Sequence, residues 1–134
     1  MTRALIIEDD ACSALALETL LRRAGMEPTT IADTDAALRA VTQNPPDILI
    51  ADWNVVGSVS SLTVAQRLRE LRSDARVLFV SGFEREEIEE LVSEFSPCSI
   101  YTKPINFDVM LLDLEAESPE APGGQARTER AASL

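Results

Sequence analysis

Two kinds of hydrophobic pattern alternate along the chain. Short apolar runs without polar alternation are typical of strands covered on both faces, and they occur at residues 4–7, 28–32, 48–51, 77–80 and 99–102, the second being the weakest. Between them, apolar residues recur at helical spacing in residues 14–24, 36–41, 62–71, 84–95 and 109–114. Because each parallel connection needs a crossover helix, this alternation predicts an α/β fold, a doubly wound five-stranded parallel sheet.

Residues with capping preferences mark several predicted helix ends. Gly25 follows the first helix in the place of a left-handed cap, and the segment Asp33-Thr34-Asp35 offers an N-cap for the second. Asn106 does the same for the fifth helix. In the fourth helix, the positions predicted to face the core are Ile88, Leu91, Val92 and Phe95.

The last residues have a different composition. From Glu115 to Leu134 the chain contains Pro, Gly, Ala and charged residues without an apolar period. Such a segment cannot bury enough surface to offset its ordering entropy. We therefore predict a single domain over residues 1–114 and a disordered C-terminal tail over residues 115–134, with no output domain after Leu114.

Composition excludes several classes of function. A formal net charge of -11 argues against a nucleic-acid surface, which needs clustered Lys and Arg. The chain has no apolar run long enough to span a membrane, and acids interrupt its apolar start, so we expect no membrane association and a cytoplasmic location. Cys12 and Cys98 fit no ligand spacing and are expected to act as small hydrophobes. The absence of His removes histidine acid/base chemistry and the common zinc sites.

Charged and polar side chains stand where the predicted strands end. They are Glu8, Asp9 and Asp10 after the first strand, Asp52 after the third, Ser81 after the fourth and Lys103 after the fifth. In the flavodoxin-like strand order 2-1-3-4-5, these ends share one crevice. Clustered carboxylates repel one another, and with only oxygen ligands on offer the expected counter-ion is Mg²⁺ or Mn²⁺.

Such a site suits phosphoryl transfer to a carboxylate. Asp52 could attack as the nucleophile and form an aspartyl phosphate, while Glu8 and Asp9 hold the metal. Lys103 is the sole lysine of the chain. Together with the Ser81 hydroxyl, it could stabilise the charge on the phosphoryl oxygens.

Four motifs, IIEDD, LIADWN, LFVSG and YTKPIN, carry a family resemblance in this order. From about Ala4 to Leu114 the chain resembles the receiver domain of two-component response regulators, the CheY-like family. The resemblance implies that Asp52 accepts a phosphoryl group from a sensor histidine kinase or a histidine phosphotransfer protein. It also implies Mg²⁺ bound by Glu8, Asp9, Asp52 and the backbone carbonyl of Asn54, phosphoryl sensing by Ser81 and Lys103, and a cis peptide between Lys103 and Pro104.

The chain departs from the family pattern near the phosphoacceptor and at the switch. The usual Met-Pro is Val55-Val56, and the loop before the third helix has an apparent extra residue, with Ser61 where Gly is usual. The usual aromatic switch position is Ile100, and Tyr101 beside it is expected to face the other side of the sheet. Phe83 is a candidate replacement, and beside the path of the hydrolytic water it would slow self-dephosphorylation.

Two other functions stay open at this point. A degenerate receiver would keep the fold and bind partners without phosphorylation, and each site residue alone could be a helix cap, a first-turn acid or a solvated side chain. A metal-dependent phosphohydrolase commonly needs a second Asp two residues after the nucleophile, where this chain has Asn54. The preferred reading is a stand-alone receiver, not a metabolic enzyme. It would signal to an unidentified protein by contact or by onward phosphotransfer.

Overall fold

The computed structural model describes residues 2–55, 57–82, 85–95 and 97–116. Their strands are β1 (Arg3–Ile7), β2 (Glu27–Ile31), β3 (Ile48–Asp52), β4 (Arg76–Ser81) and β5 (Ser99–Thr102). Their helices are α1 (Ala11–Arg23), α2 (Thr34–Gln43), α3 (Ser61–Leu71), α4 (Arg85–Leu91) and α5 (Phe107–Glu115).

Within these residues, the strands form one parallel sheet in the order β2-β1-β3-β4-β5. The register aligns the carboxyl ends of the central strands, since Ile7 pairs with Ala51 and Asp52 with Val80. The predicted fold class and strand order are therefore confirmed. The residues that follow β1, β3, β4 and β5 meet at one edge of the sheet.

Successive residues of each strand face opposite sides and enter separate hydrophobic clusters. On one side Leu49, Phe79 and Ile100 pack with residues of α2, α3 and α4. On the other side Ile50 and Tyr101 pack with residues of α1 and α5. Each fully buried large aliphatic side chain stabilises the fold by roughly 1.5–3 kcal/mol, so the sheet is a rigid base for its edge.

Polar side chains cap the helices as their residue types favour. Asp33 and Asn106 accept hydrogen bonds from backbone N–H groups in the first turns of α2 and α5. Gly25 has φ of 81°, the left-handed conformation expected of it after α1. These predicted caps are confirmed.

Four sequence expectations need correction. The fourth helix ends at Leu91, because the Ser93 hydroxyl donates to the Glu90 carbonyl and Phe95 N–H bonds to Val92 in a tighter turn. Leu91 is 62% exposed and does not face the core.

Helix α5 continues to Glu115, one residue into the predicted tail, and residues 117–134 lie outside the described part. Cys98 is buried as expected of a small hydrophobe, whereas Cys12 is exposed.

Among the residues that the structure describes, none of the helices combines the length and the apolar character required to cross a bilayer.

Candidate functional site

Three carboxylates meet at the carboxyl edge of the sheet. Glu8 and Asp9 follow β1 directly, and Asp52 ends β3 beside it. An oxygen of each lies within 4.8 Å of an oxygen of the others. Glu8 and Asp52 are 3% and 6% exposed, whereas Asp9 is exposed. The sequence prediction that these acids converge is confirmed.

The neighbouring Asp10 has a different role. Its carboxylate accepts a hydrogen bond from the Ser13 N–H at 2.8 Å and caps α1, which also holds the pKa of Asp10 below its usual value. Its own N–H donates to Glu8 Oε2 at 3.1 Å. Asp10 thus caps α1 and lies outside the cluster of three carboxylates, while its backbone N–H holds the Glu8 side chain.

Asp52 is buried at the end of β3, and neighbouring donors compensate its charge. Lys103 Nζ donates to Asp52 Oδ2 at 2.8 Å, and the Asn54 N–H donates to Oδ1 at 2.9 Å. The Ser61 hydroxyl donates to the backbone carbonyl of Asp52 at 2.8 Å. A buried carboxylate is tolerated when its oxygens are hydrogen-bonded and paired.

Lys103 is the cation of the cluster. Its Nζ also lies 3.9 Å from Glu8 Oε1, and its side chain remains 36% exposed. Burial lowers the pKa of Lys103, but the hydrogen bond and charge of Asp52, with Glu8 and Asp9, outweigh it and raise the pKa overall. Lys103 therefore stays charged at neutral pH and neutralises only part of the acidic cluster.

The negative charge of Glu8 is costly in its buried position. Burial raises the pKa of Glu8, opposed by the Asp10 N–H and reinforced by the negative charge of Asp52. A divalent cation would relieve both the burial and the repulsion.

Ser81 and the start of the β5–α5 connection complete the edge. Ser81 ends β4, is 3% exposed and pairs in register with Thr102. Its carbonyl accepts the Lys103 N–H at 2.7 Å. The Lys103–Pro104 peptide is cis, as the resemblance implied.

Comparison with known proteins assigns the chain to a family. The model of the response regulator receiver domain matches residues 4–115. The chain belongs to the response regulator receiver family. Receiver domains of this family are signalling modules of two-component systems.

Curated relatives agree with this membership. The chain is 32% identical over 117 residues to the sensory transduction protein RegX3 of Mycobacterium tuberculosis, covering 87% of this chain and 50% of that protein. It is 32% identical over 91 residues to the transcriptional regulatory protein PrrA of the same species, covering 68% and 38%. The chain thus spans half or less of the length of these relatives.

Solved receiver structures share the fold. The chemotaxis protein CheY4 of Vibrio cholerae superposes with a TM-score of 0.74 at 20% identity, covering 86% of this chain and 97% of that one. The response regulator TrrA of Thermotoga maritima, solved in complex with Mg²⁺ and BeF, has a TM-score of 0.73 at 23% identity, covering 86% and 97%.

The acidic cluster of this receiver domain fits a hard divalent cation. Its donors are carboxylate oxygens, the ligands that Mg²⁺ and Mn²⁺ prefer. Asp9 is exposed and gives an ion access from solvent, while Glu8 and Asp52 lie deeper.

The switch candidates occupy different places. Ile100 is fully buried in the cluster beneath α3 and α4, and its carbonyl accepts a hydrogen bond from Arg85 Nη1 at 2.9 Å. Tyr101 faces the opposite side of the sheet, as predicted, and its hydroxyl donates to the buried Asp113 carboxylate. Phe83 lies outside the described residues. A buried isoleucine therefore occupies the position where the family usually has the switch aromatic.

Sequence reasoning assigned no role to one residue near Asp52. Ser61 was noted only as a departure from the usual glycine, yet it holds the Asp52 carbonyl. Trp53 stacks edge to face on Phe79 at 5.3 Å between ring centroids. Adjacent to Asp52 and partly exposed, it provides an optical reporter of the site.

Proposed function

We propose that Asp52 accepts a phosphoryl group from a phosphohistidine of a sensor histidine kinase or a histidine phosphotransfer protein. The supporting observation is the joint placement of Asp52 between a lysine ammonium at 2.8 Å and two further carboxylates that fit a metal ion. That arrangement lowers the repulsion between an attacking carboxylate and an anionic phosphoryl group.

In the proposed transfer, an Asp52 oxygen forms a bond to phosphorus as the bond from phosphorus to the donor imidazole nitrogen breaks. Glu8, Asp9, Asp52 and the backbone carbonyl of Asn54 would hold Mg²⁺. When bound, the ion supplies positive charge to the phosphoryl oxygens. The Lys103 ammonium would shift from Asp52 to a phosphoryl oxygen, which its partly exposed side chain permits.

Ser81 would report the modification. It lies buried at the end of β4, next to the strand that carries Asp52. A hydroxyl there can donate to a phosphoryl oxygen, and the Ser81 side chain would move to do so. This movement would pass to α4 and β5, which are joined by the hydrogen bond from Arg85 to the Ile100 carbonyl. We propose that the signal then leaves by protein contact or by onward phosphotransfer, and that the aspartyl phosphate hydrolyses slowly.

The degenerate receiver is the second candidate function, favoured by the replaced switch aromatic at Ile100. It is disfavoured by the Lys103–Asp52 hydrogen bond and the converging acids, which a pure binding module does not need. Phosphohydrolase activity is disfavoured because Asn54 offers no acid/base group two residues after Asp52.

Trp53 fluorescence separates these functions. We expect a saturable fluorescence change on addition of Mg²⁺ and a further change on addition of beryllofluoride, a phosphoryl mimic. Asp52→Asn should lose the second response, while Asp108→Asn, at an exposed acid in α5, should keep both. An unaltered protein that responds to neither would support the degenerate receiver, and sustained turnover of phosphate esters would support the hydrolase.

A further inference from the structure

The connection from β3 to α3 is hydrogen-bonded to α2, a helix that contributes no residue to the proposed chemistry. It covers residues 53–60, of which 56 lies outside the described part. Thr34, the first residue of α2, donates a hydrogen bond through Oγ1 to the Val59 carbonyl at 2.7 Å. Asp35 accepts from the Ser58 N–H at 3.1 Å and from the Ser58 hydroxyl at 2.5 Å, one bond to each carboxylate oxygen.

The two segments also approach each other too closely for most side chains. A Cβ placed on Gly57 would lie 1.8 Å from Thr34 Oγ1. Only a glycine therefore allows the loop backbone to reach the Thr34 hydroxyl. Thr34 is fully buried, so its hydroxyl needs the bond to Val59 to avoid an unpaired polar group.

This β3–α3 connection also carries the proposed backbone ligand of the metal ion. Its first half contains Asn54, whose N–H is bonded to Asp52 Oδ1, and Val55, which is 7% exposed in the core. Directly after its other end stands Ser61, the first residue of α3, whose hydroxyl donates to the Asp52 carbonyl. The α2 contacts at residues 57–59 hold the part of the loop between these two ends.

A helix-dipole role for Asp35 accounts for only part of this geometry. A first-turn acid gains from the dipole without any loop partner. Here both carboxylate oxygens are directed at Ser58, and the two hydrogen bonds from Ser58 lower the pKa of Asp35. Asp35 therefore binds the loop in addition to any favourable interaction with the dipole of its own helix.

We propose that Thr34 and Asp35 are positioning residues for the divalent-cation site: they hold the loop after Asp52 in its metal-binding conformation before the ion arrives. This inference rests on the proposed function, since it concerns the Mg²⁺ that Asp52 would need. Without these contacts, ion binding would have to order the loop and would lose affinity accordingly.

Mg²⁺ titration followed by Trp53 fluorescence tests the proposal on the full chain. Asp35→Ala and Thr34→Val should each raise the dissociation constant for Mg²⁺ about tenfold, the lower end of the losses known for groups that orient metal ligands. Asp108→Ala removes an equivalent first-turn acid from α5 and should leave Mg²⁺ affinity unchanged. Ser58→Ala should weaken binding, and Ser58→Thr, which keeps the hydroxyl, should restore it.

Amide hydrogen exchange in metal-free protein gives an independent reading. The Ser58 N–H should be protected in the unaltered protein and in Asp108→Ala, and should lose that protection in Asp35→Ala. Unchanged Mg²⁺ affinity in Asp35→Ala and Thr34→Val would overturn the inference while leaving the proposed function intact. Failure of the unaltered protein to bind Mg²⁺ would overturn the proposed function and this inference together.

Discussion

Removal of the Lys103 ammonium is the perturbation that bears most directly on the electrostatics of the site. Lys103→Met keeps the length and apolar stem of the side chain and deletes its charge. Asp52, with its side chain 7% exposed, then loses its partner at 2.8 Å, and Glu8, with its side chain 2% exposed, loses the nearby charge at 3.9 Å. We expect the metal-free variant to be less stable.

The expected decrease in the free energy of unfolding of Lys103→Met follows from the burial of Lys103 and Asp52. Breaking a fully buried ion pair costs about 3–5 kcal/mol, and an exposed pair contributes about 0–1 kcal/mol. Here the acid is buried but the lysine side chain is 36% exposed, so the expected loss is about 2 kcal/mol. For a domain of this size, that lowers Tm by roughly 8 °C.

Urea unfolding and thermal melts at neutral pH measure this loss. Saturating Mg²⁺ should narrow the difference between Lys103→Met and the unaltered protein, because the ion replaces part of the missing positive charge. Adding Asp52→Asn should recover most of the loss, and Arg22→Met, which breaks an exposed pair, should change little. A Lys103→Met protein as stable as the unaltered one without metal would refute the reasoning.

Three further predictions concern other parts of the molecule. Burial raises the pKa of Cys98 to about 11, so iodoacetamide at pH 8 should label Cys12 alone until urea unfolds the chain, as peptide mapping would show. A hydrogen bond from the Arg3 N–H lowers the pKa of Asp47. The stability that ionised Asp47 contributes is therefore present above pH 3.8, the ordinary pKa of Asp, and is lost as the pH falls through the pKa of the folded state. Urea unfolding should therefore find Asp47→Asn about 1 kcal/mol less stable at pH 7, with the difference closing in acid. Gly57→Ala should lower stability by about 2 kcal/mol in the same assay, and by less when Thr34 is also alanine.

The sheet and the convergence of the acids follow from local patterns. Apolar runs identify buried parallel strands, and parallel topology then brings Glu8, Asp9, Asp52 and Lys103 to one edge without any knowledge of packing. The site could be predicted because each of its residues stands next to a strand end. The caps at Asp33 and Asn106 were predictable for the same reason, since capping depends on neighbours in sequence.

Features that depend on packing between distant segments were not predictable. Helical spacing placed Leu91 inside, yet where the helix ends and what packs beside it leave this side chain exposed. The contacts of Thr34 and Asp35 with the loop join segments more than twenty residues apart, so no local pattern signals them. Ser61 adds a hydroxymethyl side chain where the family usually has Gly, and its hydrogen bond to the Asp52 carbonyl depends on the three-dimensional approach of residues nine apart.

Incubation with acetyl phosphate, followed by intact mass spectrometry and peptide mapping, is the most direct test of phosphoryl transfer to Asp52. We predict one added phosphoryl group on Asp52 that requires Mg²⁺, is labile to hydroxylamine and is absent from Asp52→Asn. A protein that binds Mg²⁺ but stays unmodified, or one that is modified equally well after Asp52→Asn, would contradict the account.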